Sequence, residues 1–158
     1  MTSRVMLLCL VASMSAQANV EMTAGDQKLM SGYTLSIDKF KRYEAAVEKI
    51  NAACHTDSAL REESEKDSAK SLTLEQAIQE LSGTRLYKNY LKPAGVEAQD
   101  AVLMPLVLMG AGAVVEAHAD QKKLQGLTDA QVAFYRAHRD EIHKAKLAGD
   151  CESDDQDQ

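Results

Sequence analysis

Three groups of residues in this chain have types and spacings that could do chemistry: the cysteines, a pair of histidines near the C-terminus, and a methionine/glycine/alanine run. Cysteines stand at Cys9, Cys54 and Cys151. Cys54 is followed by His55, but Asn51 occupies the place of the earlier cysteine in a C-x-x-C-H motif, so the covalent haem site is missing. His138 and His143, in "HRDEIH", are five residues apart. That spacing puts them about 140° apart around a helix, too far to grip one ion as an i,i+4 pair does. The sequence therefore predicts neither a metal nor another cofactor. His138 alone falls on the apolar stripe expected for the last helix. It reads as a core histidine bonded to a carbonyl or a tyrosine, with a catalytic or pH-sensing base as the alternative. No Ser/His/Asp set, glycine-rich phosphate loop or paired carboxylates stand out.

The third group is "AVLMPLVLMGAGAVV", residues Ala101 to Val115, which has no charge. Fifteen apolar residues fall short of a typical membrane span, and Glu97, Asp100 and Glu116 flank them closely. The run reads as the helix that others enclose, because a helix apolar all round needs neighbours all round. Pro105 should bend it at the Ala101 carbonyl. Gly110 to Ala113 put almost no side chain into its middle, which either lets a helix pack closely or leaves an apolar groove near Met104, Met109, Gly110 and Gly112.

Around these groups the chain of 158 residues has 45% hydrophobic and 27% charged residues and a net charge of −6, an ordinary globular composition. The acidic balance argues against nucleic acid and anionic lipid as partners. Residues 1–18 contain a basic start, a short apolar core and the small-x-small "AQA", the pattern of a secretory signal peptide cut after Ala18. Cleavage removes Cys9 and leaves Cys54 and Cys151, an even count suited to one disulfide in an oxidising compartment. The expected location is the periplasm or outside the cell. After cleavage the protein should not be an integral membrane protein.

Residues 19–32 are predicted to be a flexible lead. Residues 33–149 form one helical domain and 150–158 an acidic disordered tail. Ser36 should cap a helix with Phe40, Tyr43, Val47, Ile50 and Cys54 on one face. Thr73 with Gln76, and Thr128 with Gln131, are capping boxes that start two more helices. Pro93 and Gly95 end a short helix before the apolar one, which spans about 96–118. The last helix should run from about Asp129 to Leu147 and bury Val132, Phe134, Tyr135, His138, Ile142 and Ala145. The fold expected is all-α, a compact bundle of about five helices around a central helix kinked at Pro105.

Three stretches, "YTLSIDKFKRYEAAVEKI", "LKPAGVEAQDAVLMPLVLM" and "QVAFYRAHRDEI", together resemble a family of exported bacterial all-helical proteins of unassigned activity. The resemblance runs from Tyr33 to about Lys144 and implies a bundle and export, with no function attached. The functions in play are a protein-binding or structural module whose partner is another exported protein, a carrier of a small apolar ligand beside Gly110 to Ala113, and an enzyme using His138 as base.

Overall fold

The computed structural model describes residues 22–66 and 72–145; the signal segment, the acidic tail and Cys151 lie outside them. Among the described residues seven α-helices follow in chain order: α1 (Ala24–Gly32), α2 (Ile37–Cys54), α3 (Ser58–Lys66), α4 (Leu74–Gly83), α5 (Ala98–Glu116), α6 (Asp129–Ala137) and α7 (Arg139–Lys144). A π-helical turn over Tyr87–Leu91 and a 3₁₀ turn over Lys92–Ala94 lead into α5. No strand occurs among the described residues, and the chain folds as an all-α bundle.

Local chemistry sets most of the boundaries. Ser36 starts α2 by accepting from the Lys39 N–H. Thr73 and Thr128 start α4 and α6, each in a capping box with the glutamine three residues on. Gly95 takes the left-handed conformation (φ 74°) that ends the 3₁₀ turn, where a side chain would be strained.

Of the flexible lead expected over residues 19–32, the part from Ala24 onward is helical. Thr23 accepts from the Asp26 N–H while the Asp26 carboxylate accepts from the Thr23 N–H, a reciprocal cap that starts α1. The polar segment after Cys54 also has a definite role. Asp57 accepts from the Leu60 N–H and from the Tyr90 hydroxyl, and Leu60 is fully buried. The Glu63 carboxylate takes the backbone N–H groups of Arg85 and Leu86, satisfying donors at the start of the next helical segment.

The core is built on α2, which buries Phe40, Tyr43, Ala46, Val47, Ile50 and Cys54, and on one side of α5. α5 packs against α2, α4 and α6 and continues through Pro105 as one element. The expected last helix is two. His138 leaves helical geometry (φ −113°, ψ 19°), closing α6 with its N–H on the Phe134 carbonyl and opening α7 with its own carbonyl on the Ile142 N–H. Val132, Tyr135 and Ile142 are buried as expected. Phe134, His138 and Ala145 are only half-buried.

Candidate functional site

α5 has two unlike sides. Leu103, Met104, Val107, Leu108 and Ala111 are buried, as helical spacing places them on one face. Val102, Pro105, Leu106, Met109 and Ala113 fall on the opposite face, none of them buried, and Met109 is 52% exposed. Apolar composition all round therefore does not mean enclosure here. Helix α4 beside it is amphipathic, yet Leu74, Ala77, Ile78 and Leu81 are all only half-buried. By length and composition α5 could also cross a membrane. In the fold its first turn holds the buried Asp100, which the Lys39 ammonium meets at 2.8 Å.

The four residues expected to line a groove do not come together. Met104 points into the core and Met109 outward. The space over the two glycines is filled by neighbouring side chains. A methyl group built on Gly112 would lie 3.1 Å from the Tyr135 hydroxyl and 3.2 Å from its Cζ, while one on Gly110 would meet Leu127 at 3.6 Å. Small residues thus let α6 and its leading loop approach α5 closely.

His138 does not occupy the core position expected of it. It sits half-exposed at the α6–α7 break, its Nδ1 3.0 Å from a Glu141 carboxylate oxygen and its ring 4.6 Å from the Phe134 ring centre. The histidine with the richer surroundings is His143, weighed in the sequence only as a metal partner of His138. Its Nε2 is 3.2 Å from Glu116 at the end of α5 and 3.3 Å from the Tyr135 hydroxyl on α6. Arg139 donates to the other Glu116 oxygen at 2.6 Å. The Arg139 hydrogen bond, aided by His143, holds the Glu116 carboxyl below the usual carboxylate range. Burial first, then the Glu116 charge, raises the Tyr135 phenol. A proton relay through imidazole needs a different partner on each ring nitrogen. Here one nitrogen serves both partners, so the group ties α5, α6 and α7 together. Among the described residues no three His, Cys, Asp or Glu side chains are placed to hold a metal ion.

A second cluster lies at the other end of α5. The Tyr33 hydroxyl (2.9 Å) and Lys39 Nζ (2.8 Å) both donate to Asp100 Oδ1, and the Lys39 ammonium stands 4.9 Å from the centre of the Tyr33 ring. Asp100 also suits the positive end of the α5 dipole. Burial foremost, with the Asp100 charge and hydrogen bond, pushes the Tyr33 phenol far up. Burial alone raises Tyr43, whose hydroxyl is enclosed and meets no hydrogen-bond partner. Cys54 is 2% exposed at the end of α2.

Compared with protein-family models, curated proteins and solved structures, the chain matches none.

Proposed function

We propose that this chain is a small exported helical module that works by binding another protein, with the outward face of α5 as its docking surface. The observation that supports this most is the stripe Val102, Pro105, Leu106, Met109 and Ala113, with Met109 52% exposed on a helix that has no polar side chain between Ala101 and Val115. Within that stripe Val102 and Leu106 also pack partly against the core, so Met109 is its exposed centre, and a flexible methionine suits an adaptable contact. The carrier reading loses ground because Tyr135 and Leu127 fill the space over Gly112 and Gly110. The enzyme reading loses ground because His138 pairs with Glu141 at the surface.

Export is proposed on the signal-like residues 1–18, with the mature chain beginning after Ala18 in the periplasm or outside the cell. A Cys54–Cys151 disulfide belongs to the same reading. It would tie the acidic tail to the end of α2 and close a loop of roughly a hundred residues, worth up to about 4–5 kcal/mol in the chain-entropy account.

The test is affinity capture from the exported fraction of the native host, with wild type beside Met109→Lys and Leu106→Lys. The reading expects one protein retained by wild type and lost from both variants, whose circular dichroism is unchanged. The same proteins on all three, or none on wild type, would reject it.

A further inference from the structure

We infer that α1 is a latched strap, a segment that swings off the bundle as a unit while the other helices stay folded. Its apolar anchorage is slight. Of its nine residues only Met30 is a buried apolar side chain, with Leu29 and the preceding Met22 partly buried against the core. α2, by contrast, buries six.

What holds α1 instead is a set of directional polar contacts. The buried Asp26 accepts from the Leu74 N–H at 2.7 Å, joining α1 to the start of α4. The buried Gln131 amide donates to the Met30 carbonyl at 2.7 Å and to the Tyr33 carbonyl at 2.8 Å, joining the end of α1 to α6. On the surface Gln27 donates to Gln125 at 2.8 Å. Water can replace each of these partners once the strap lifts, whereas it cannot replace apolar contacts, so polar latches resist opening less than a packed face does. The loop before α6 is shaped to receive the strap. Gly126 is left-handed (φ 81°), and a methyl group there would come within 3.0 Å of Met30 Cβ and 3.1 Å of the Gln27 carbonyl oxygen.

The hinge is defined as well. Tyr33 follows α1 in extended geometry, and its hydroxyl stays fastened to Asp100 at 2.9 Å. Opening therefore stops at Tyr33 and does not run into α2. Release frees the Gln131 amide and the Leu74 N–H together, beside the seat that Met30 leaves.

Native-state hydrogen exchange on the full chain, read by mass spectrometry, tests this. In wild type, the α1 amides should exchange ~100-fold faster than those of α2 and the buried side of α5. Gln131→Glu keeps the acceptor for the Thr128 N–H, a bond of 2.8 Å, but loses both donors to α1. It should raise α1 exchange a further tenfold or so and leave α2 and α5 unchanged. Asp26→Ala cuts the latch from the strap's side and also removes the Thr23–Asp26 cap, so it should raise α1 exchange more than Gln131→Glu does and leave α2 and α5 unchanged. Exchange of α1 at the rate of α2 in wild type would overturn the inference. So would variants that accelerate all helices equally or leave α1 unchanged.

Discussion

Replacing Gly110 and Gly112 separately by alanine distinguishes close packing from a vacant groove. Glycine inside a helix costs about 0.8–1.0 kcal/mol relative to alanine, so both changes begin with the same favourable increment. At Gly110 the new methyl meets Leu127 at 3.6 Å, an ordinary contact, and the variant should gain about 0.5–1 kcal/mol. At Gly112 the methyl meets three Tyr135 atoms at 3.1 to 3.3 Å, and the ring cannot move without disturbing its hydroxyl, 3.3 Å from His143. Overpacking of this kind costs about 1–3 kcal/mol, which cancels or exceeds the helix gain. Gly112→Ala should therefore be level with wild type or less stable by up to about 2 kcal/mol. Urea unfolding followed by circular dichroism measures both. In a Tyr135→Leu background the methyl has room, and Gly112→Ala should regain the Gly110 increment, a coupling a double-mutant cycle reads directly. Equal stabilisation by the two alanines in the wild-type background would refute the packing and restore an open groove.

Three further outcomes follow from the core. Tyr43→Phe removes an enclosed hydroxyl that meets no partner, so thermal unfolding should show a variant about 1 kcal/mol more stable than wild type. Tyr33 and Tyr43 both have folded pKa values raised above the ordinary phenol value of 10.0, so their stabilisation is intact below pH 10 and is lost as pH rises beyond it. The expected loss is about 1.4 kcal/mol per pH unit for each of these two buried phenols, seen by urea unfolding above pH 10, and Tyr43→Phe should remove one phenol's share of that slope. Reducing the proposed Cys54–Cys151 bond should lower the urea midpoint by the equivalent of about 2–4 kcal/mol, and intact mass before reduction should be two daltons below the dithiol form.

Much of the architecture was legible in short local signals. Ser36, Thr73 and Thr128 cap where expected, and Phe40, Tyr43, Val47, Ile50 and Cys54 are buried together. α1 escaped because its cap uses aspartate rather than glutamate or glutamine at the third position, and because one buried methionine makes no periodic pattern. His138 was misplaced because a regular 3.6-residue period was carried across a break in the backbone. The tie among Glu116, Tyr135, Arg139 and His143 joins residues up to 27 apart and leaves no local pattern to read. The outward face of α5 could not be told from its inward one, since both are apolar and only the positions of α2, α4 and α6 decide which is covered.

The docking claim is tested most directly by a photoreactive residue at position 109, compared with one at Lys49 on the exposed polar face of α2, in cells that export the protein. The account predicts one discrete protein crosslinked from position 109, none from position 49, and loss of the adduct when Leu106→Lys is added. No adduct at 109, or the same adducts from both positions, would contradict it.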